Sequence, residues 1–332
     1  MKKYLNKREI FENFLKLTLK NKIITISKIL GIRFFIYNLF YYLLLPLFKN
    51  KSNFFKGLLF DLQKTKHEFV GITNNTEKYI LYSKDKIISK EIYVKGEFDL
   101  LKLKKTLKVL HEKGFKTERL FDIGANIGVI CIPAVKQKII KTVFAVEPEK
   151  NNYKLLRTNI ILNDLEKDIQ TYNCALSDSD DKQLTMVLSD HNSGGHSVQN
   201  LEDLKSNDNS EKNSIEVKTK KFDTLFGDVN KINDLIWIDA QGHEPFILDG
   251  CKNALDKEIP IVIEFWPYGL KKNKSWEKMI NTIRKFKYFL DLSKSENNLE
   301  IINDKSLEKL TLGWDQENKE KYALFTDILL LK

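Results

Sequence analysis

Hydrophobic residues are spaced differently before and after residue 118, and the spacing beyond it predicts an α/β fold. From residue 119 onward, short apolar runs alternate with segments in which apolar residues recur every three or four positions, the patterns of strands and helices respectively. Strands that alternate with helices form a parallel sheet covered on both faces. The predicted strands lie at residues 119–123, 142–146, 169–175, 215–219, 235–238, 259–266, 299–302 and 322–330, and the predicted helices at 128–137, 151–163 and 245–250.

Two shorter patterns precede this region. Alternating runs at residues 78–82 and 91–94, with a turn at Asn74-Asn75, predict a small β element. Four leucines at helical spacing predict a helix over 101–113 that ends at Gly114, a common C-terminal stop. The expected parts of the chain are an extension (1–60), a lead-in of β and helical structure (61–118) and the main domain (119–332).

The extension combines lysines with apolar residues. Residues 1–30 have the spacing of a basic amphipathic helix, and an apolar, aromatic run follows at 32–48. Its uninterrupted part of 15 residues is shorter than the ~20 needed to cross a bilayer, so a true span is the least favoured interpretation. Two others stay open: a helix in the membrane interface, with an anionic lipid surface as the partner of residues 1–50, or a cap packed on the domain or on another subunit.

Charge and cysteine usage narrow the function classes. The net charge is +10, and residues 1–60 hold 12 basic and 2 acidic residues, so the rest of the chain is balanced. Nucleic acid is therefore not an expected partner, because enzymes of nucleic acids usually carry their positive field beside the active site. Cys131, Cys174 and Cys251 lie in apolar segments without a Cys-x-x-Cys pair, which indicates reduced thiols in a cytoplasmic protein and no zinc site.

A glycine-rich turn follows the strand at 119–123. Such a turn, with apolar residues at helical spacing beyond it, lets the backbone approach a nucleotide-like ligand. The next strand ends on Glu147, 19 positions beyond Gly128, where a carboxylate can accept hydrogen bonds from both hydroxyls of a ribose. The places of a dinucleotide fingerprint hold Gly124, Asn126 and Val129, so two of the three glycines are missing. This favours S-adenosylmethionine over NAD; an ordinary turn without a ligand is the alternative.

A second polar cluster follows the apolar strand at 235–238. Asp239, His243 and Glu244 should lie at the same sheet edge as the glycine turn, where one of them could remove a proton from a hydroxyl acceptor during methyl transfer. Asp239 and His243 are not ranked. Asp239 could instead cap a helix, and His243 could be a structural hydrogen-bonding residue.

The segment 184–213 has no clear periodicity. Its polar run at 205–213 predicts a disordered loop. The cluster Ser193-Gly194-Gly195-His196-Ser197 is either a plain turn or a lid whose amides and hydroxyls meet the ligand.

Several of these stretches, taken together in order and spacing, resemble the FkbM-type methyltransferases over about residues 90–270. The matching stretches are residues 121–128 (FDIGANIG), 146–148 (VEP), 173–177 (NCALS), 238–244 (IDAQGHE) and Ile263-Glu264. The resemblance implies a class I (Rossmann-like) methyltransferase fold with a seven-stranded, mainly parallel sheet, and O-methylation of sugar or polyketide hydroxyls. It does not cover the extension. Gln241 stands where members often carry Glu, so its role should be hydrogen bonding.

By motif position, the resemblance assigns residues to each part of the site. Gly124, Asn126 and Gly128 would border the methionine part of the cofactor, Glu147 the ribose, and the region of Cys174 the adenine. Cofactor-binding residues are expected to be Asp122, Gly124, Asn126, Gly128, Glu147, Pro148, Cys174, Ala175 and Leu176. Residues expected to meet the acceptor or to form a lid are Ser193, His196, Ser197, Gln241 and Glu264.

The leading hypothesis is an S-adenosylmethionine-dependent O-methyltransferase that acts on a sugar of a glycan or lipid-linked saccharide, at the cytoplasmic face of a membrane. No metal is assigned. A nucleic-acid methyltransferase is disfavoured because no Pro-Pro pair follows Asp239. Another small-molecule methyltransferase, or a membrane-associated protein that binds the cofactor without turnover, is the remaining alternative.

Overall fold

The computed structural model describes residues 52–63, 67–74, 76–189, 191–199, 213–312 and 325–332. The chain divides into two compact units, 1–59 and 60–332, and of the first unit only residues 52–59 are described. The helix and the apolar run predicted within residues 1–48, and nearly all of the loop predicted at 205–213, lie outside the described residues. Within those ranges, no helix has the length and hydrophobicity needed to traverse a bilayer.

The elements of the described residues follow in chain order. The strands are β1 (Phe69–Asn74), β2 (Glu77–Tyr82), β3 (Arg119–Ile123), β4 (Thr142–Val146), β5 (Ile169–Tyr172), β6 (Ala175–Leu176), β7 (Gln183–Val187), β8 (Ser197–Gln199), β9 (Ser214–Lys220), β10 (Asp234–Ile238), β11 (Ile261–Phe265), β12 (Tyr288–Asp291), β13 (Glu300–Ile301) and β14 (Thr326–Leu331). The helices are α1 (Ser52–Gln63), α2 (Ile88–Lys95), α3 (Leu100–Glu112), α4 (Cys131–Lys136), α5 (Lys150–Leu162), α6 (Phe222–Leu225), α7 (Glu244–Asp249), α8 (Lys252–Asp256), α9 (Pro267–Lys272), α10 (Trp276–Ile283) and α11 (Asp304–Leu312).

The central sheet of the second unit has the order β13-β12-β14-β11-β10-β3-β4-β5. The five strands from β11 to β5 are parallel, and β14 is antiparallel to both of its neighbours. The predicted α/β fold with a mainly parallel sheet is confirmed. The helices cover both faces, as two separate apolar cores show: Trp237 belongs to the core with α3, α4 and α5, whereas Ile236 belongs to the core with α7, α8 and α10.

The expected strand number of seven is wrong, because the sheet has eight strands. The strand of the central sheet that sequence patterns missed is β12, which is four residues long and directly follows Lys287. It is defined by its pairing with β14, a partner some 40 positions away in sequence, which local periodicity does not reveal.

A second sheet of four strands has the order β6-β9-β7-β8, and two of its strands, β7 and β8, lie largely in the described part of the segment 184–213, where irregular structure was expected. It also divides the strand predicted at 169–175, because the chain leaves the central sheet after β5 and enters the second sheet at β6. Asn173 stabilises this crossing, since its side-chain amide donates to the carbonyl of Glu147 (2.9 Å). The two sheets therefore meet at the end of β4.

The lead-in contains a hairpin, β1 and β2, where a small β element was predicted, and the predicted helix, here α3. The strand expected at 91–94 is wrong: these residues lie in α2. Asp85 explains the helix, because its carboxylate accepts hydrogen bonds from the backbone N–H groups of Ile87 (3.0 Å) and Ser89 (3.0 Å) at the helix start.

Candidate functional site

A cleft opens at the carboxyl ends of β3, β4 and β10, where ligands bind in open α/β sheets. Its free space, counted out to the solvent, is about 870 Å³. Thirteen of the residues named from the sequence line it: Asp122, Gly124, Asn126, Glu147, Pro148, Cys174, Ala175, Leu176, Ser193, His196, Asp239, Gln241 and His243. Gly128, Ser197, Glu244 and Glu264 do not line it.

The glycine turn fits tightly against the end of β10. Gly124 has a φ of +90°, and a Cβ atom added there would lie 1.9 Å from the carbonyl oxygen of Asp239. Its N–H donates to the carbonyl of Val146 (2.9 Å), so the turn is also tied to the end of β4. Gly128 lies behind the wall, where a Cβ would meet the side chain of Ile132 at 2.5 Å. Only glycine allows the three strand ends to converge here.

Glu147 lies at the end of β4, with its side chain buried against the turn. One carboxylate oxygen accepts a hydrogen bond from the N–H of Asn126 (2.9 Å) and the other from the N–H of Glu149 (2.8 Å). Burial raises the pKa of Glu147 to about 8, although these two hydrogen bonds act in the opposite direction. Each oxygen retains a second lone pair, so the carboxyl group can still accept hydrogen bonds from a ligand in the cleft.

Asp122 forms part of the cleft wall, and it has an incompletely paired carboxyl group. Its Oδ2 atom is buried and has no hydrogen-bond partner within the described part of the chain. Burial raises the pKa of Asp122 to about 7, and a hydrogen bond with Cys131 lowers it in part. A buried polar atom without a partner is costly, so an oxygen of this kind at a cleft wall fits a cationic or hydrogen-bond-donating ligand group.

The segment around Ser193 forms another wall of the cleft. The backbone carbonyl of Ser193 accepts hydrogen bonds from the side-chain amides of Asn126 (2.8 Å) and Asn152 (2.8 Å). The Ser193 hydroxyl donates a hydrogen bond to Asp85 (2.7 Å). His196, in the same wall, accepts a hydrogen bond at Nδ1 from the N–H of Ser189 (3.0 Å), and burial lowers its pKa.

Three acidic residues lie in one row at the ends of neighbouring strands. Asp239 follows β10, Glu264 is next to it in β11, and Glu264 is paired with Asp327 in β14. Gln241 bridges the first two: its Nε2 atom lies 2.9 Å from Oδ1 of Asp239 and 2.9 Å from Oε2 of Glu264. Burial is the largest cause, and the charge of Asp327 the second, that raises the pKa of Asp239 to about 7. Burial is also the largest cause, and the charge of Asp239 the second, that raises the pKa of Glu264 well above its ordinary value.

His243 and Glu244 have different surroundings from Asp239. Glu244 accepts hydrogen bonds from the N–H groups of Ala240 (2.9 Å) and Gly242 (3.2 Å), so it stabilises the turn after β10. Burial raises the pKa of Glu244 to about 8. His243 lies 3.1 Å from the hydroxyl of Ser177, and burial lowers its pKa to about 4. Its imidazole is therefore neutral at pH 7.

Three polar residues of this region were not predicted from the sequence: Asp85 and Asn152, which hold the Ser193 wall, and Asp99, which lines the cleft. Asp85 and Asp99 each precede an apolar helix, a position that favours aspartate as a cap and could have drawn attention to both. Asn152 gives no sequence signal, because a buried asparagine inside a helix has no distinguishing pattern.

No set of three His, Cys, Asp or Glu side chains among the described residues is arranged to hold a metal ion. The three cysteines are free thiols: Cys131 and Cys251 are buried, and Cys174 is half-buried in the cleft wall.

Comparison with protein families gives one match, the methyltransferase FkbM domain, over residues 122–290, about half of the chain. The chain belongs to the FkbM methyltransferase family. It is accordingly an enzyme that transfers methyl groups, with S-adenosylmethionine as its cofactor. No curated protein matches the chain.

Solved structures with related folds include three complexes with S-adenosylmethionine or related compounds, all at low identity. TYW2 of Pyrococcus horikoshii in complex with MeSAdo is 13% identical, with coverage of 80% of this chain and 72% of that one and a TM-score of 0.36. TYW2 of M. jannaschii in complex with AdoMet is 12% identical, with coverage of 80% of this chain and 86% of that one and a TM-score of 0.38. TrmK of M. capricolum with S-adenosyl-homocysteine is 12% identical, with coverage of 68% and 67% and a TM-score of 0.32. No conclusion about the acceptor of the present enzyme follows from them.

Proposed function

We propose that this enzyme methylates a hydroxyl group of a sugar in a glycan or lipid-linked saccharide, with Asp239 as the general base. The observation that carries the proposal is the position of Asp239, which lines the cleft and whose backbone carbonyl packs against the glycine turn at Gly124. A hydroxyl acceptor must lose its proton as it is methylated, and a base works best when its pKa is near the working pH. The pKa of Asp239, about 7, meets that requirement.

The other two candidates are less suited to the role of base. His243, with a pKa of about 4, is a weak proton acceptor at neutral pH. Glu244 is directed to the backbone of its own turn and does not line the cleft. We therefore assign His243 to hydrogen bonding with Ser177 and Glu244 to stabilisation of the turn.

The residues of the cleft fit the cofactor. When bound, S-adenosylmethionine supplies the methyl carbon that the acceptor oxygen attacks. Glu147 would accept hydrogen bonds from the ribose hydroxyls, and the unpartnered oxygen of Asp122 suits the ammonium group of the methionine part. The turn at Gly124 would lie along that part, and the wall at Cys174 would contact the adenine. Asp239 would receive the hydroxyl proton of the acceptor.

A sugar acceptor is supported by the FkbM family and by the carboxyl and amide groups of Asp239 and Gln241, which suit the hydrogen bonding of neighbouring hydroxyls. The proposal includes an anionic membrane surface at the cytoplasmic face as the partner of residues 1–50, because the excess positive charge lies there. A nucleic-acid acceptor is the principal competing outcome. The tRNA m1G37 methyltransferase of M. jannaschii is among the solved structures with a similar fold, so an acceptor screen must include tRNA.

Methyl transfer from labelled cofactor tests the proposal, with lipid-linked saccharides, free glycans, small alcohols and tRNA as acceptors. We expect the wild-type enzyme to methylate a saccharide. The rate of that methylation should fall by about 10²-fold or more in Asp239→Asn. Asp164→Asn is the matched control, because Asp164 is exposed and outside the cleft. Methylation of tRNA alone would contradict the acceptor, and full activity of Asp239→Asn would contradict the base.

A further inference from the structure

Gln241 has an unusual backbone conformation and unusual partners. Its φ of +52° is in the left-handed region, which is uncommon for a residue other than glycine and is often found at functional sites. Its side-chain nitrogen is within hydrogen-bond distance of Asp239 Oδ1 (2.9 Å) and of both Glu264 oxygens (3.1 and 2.9 Å). An amide nitrogen carries two hydrogens, so it can donate one to each carboxyl group.

The surroundings of Asp239 are otherwise strongly acidic. The charged or titratable groups that act on it or on its partner Glu264 are Asp99, Lys102, Asp122, Glu244 and Asp327. Lys102, the single cation among them, forms ion pairs with Asp327 (2.5 Å) and Asp99 (2.7 Å) rather than with Asp239. In the described structure, Gln241 is thus the one side chain that donates a hydrogen bond to the Asp239 carboxyl group.

We propose that Gln241 is a positioning residue that holds the Asp239 carboxyl group beside Glu264 and keeps Asp239 ionised near neutral pH. This inference rests on the proposed role of Asp239 as base. A hydrogen bond donated to a carboxylate stabilises its charged form, and Gln241 is the group that supplies it. Glu264 does not line the cleft and faces Asp327 across the strand pair, so it retains a proton more readily than Asp239 does.

The identity of residue 241 matters because its side chain lies between two acidic groups, Asp239 and Glu264. A glutamate at this position could donate a hydrogen bond only in its protonated form, and when ionised it would add a further negative charge to the row. The amide of Gln241 donates at any pH. The residue therefore sets the pH range in which Asp239 can accept a proton.

The pH dependence of kcat/KM for saccharide methylation tests the inference in wild type, Gln241→Glu and Gln241→Met. Met has a similar length and no donor. We expect both variants to move the acidic limb upward by about one pH unit, which lowers activity near pH 7 about fivefold and leaves the alkaline plateau nearly unchanged. Gln170→Glu and Gln170→Met are controls on β5, outside the cleft, and should leave the limb in place.

Two outcomes separate failure of this inference from failure of the proposed function. If Asp239→Asn retains turnover, the base assignment is wrong. If Asp239→Asn is inactive but the limb of both Gln241 variants stays at the wild-type pH, the positioning role alone is wrong. If the variants lose activity at every pH, ¹³C NMR titration of the Asp239 carboxyl, assigned with Asp239→Asn, gives the same information without turnover. An unchanged titration midpoint in Gln241→Met would then overturn the inference.

Discussion

Substitution of Gly124 by alanine tests the convergence of strand ends on which the cleft depends. Two costs arise at this position. An L-residue in the left-handed region costs roughly 1–2 kcal/mol. The added Cβ would also lie 1.9 Å from the carbonyl oxygen of Asp239, and relief of such an overlap costs about 1–3 kcal/mol more. We therefore expect Gly124→Ala to lower the free energy of unfolding by about 2–5 kcal/mol.

The chain offers a matched control at Gly114. Its φ of +88° is nearly that of Gly124, +90°, but a Cβ added there would meet nothing within 4 Å. Gly114→Ala should thus incur the conformational cost alone, about 1–2 kcal/mol. The difference between the two variants isolates the contact with Asp239.

Equilibrium urea unfolding, followed by tryptophan fluorescence, measures both variants, and calorimetry measures their affinity for S-adenosylhomocysteine. Gly124→Ala should be less stable than Gly114→Ala by about 1–3 kcal/mol and should bind the ligand more weakly, because the turn and Asp239 must move apart. Equal stabilities within about 0.5 kcal/mol, together with an unchanged affinity, would refute the proposed convergence.

Two further predictions concern the buried carboxyl groups. Glu147→Ala should weaken binding of S-adenosylhomocysteine about tenfold or more, because a hydrogen-bond acceptor for the ribose is lost; calorimetry with an unchanged dissociation constant would count against that role. Burial raises the pKa of Asp122 from 3.8 to about 7 and that of Glu147 from 4.5 to about 8, so the unfolded chain releases these protons at lower pH than the folded chain does. The free energy of unfolding of the ligand-free protein should therefore fall as the pH rises from about 4 to about 8. Urea unfolding across that range measures it, and a rise in stability toward pH 8 would contradict the buried, protonated state.

The sequence predicted those parts of the fold that depend on local pattern. The strands β3, β4 and β10 and the turn at Gly124 have strong apolar runs followed by glycine or acidic residues, and these define both the fold and the cleft. The short strand β12 and the second sheet depend on partners distant in sequence, which local periodicity does not contain.

In the candidate site, too, the features that depend on local pattern could be predicted, and those that depend on distant partners could not. Asp239 and Glu147 follow apolar strands directly, so their place at the sheet edge could be inferred from sequence alone. Their protonation could not, because it depends on burial and on carboxyl groups from three separate strands. The bridge made by Gln241 depends on its left-handed backbone as well, and no sequence pattern indicated that conformation. The difference in pKa supports our proposal that Asp239 rather than His243 is the base, a choice that spacing alone left open.

Because the chain crosses from the central sheet to the second sheet after β5, the two sheets contribute different residues to the cleft. The carboxyl row belongs to the central sheet, whereas Met186 and Val198, from β7 and β8, contribute to the cleft from the second sheet. Substitutions at those two positions can alter the size of the cleft without altering the carboxyl row. This fold could consequently change the space offered to a ligand through one sheet while the acidic row is preserved in the other.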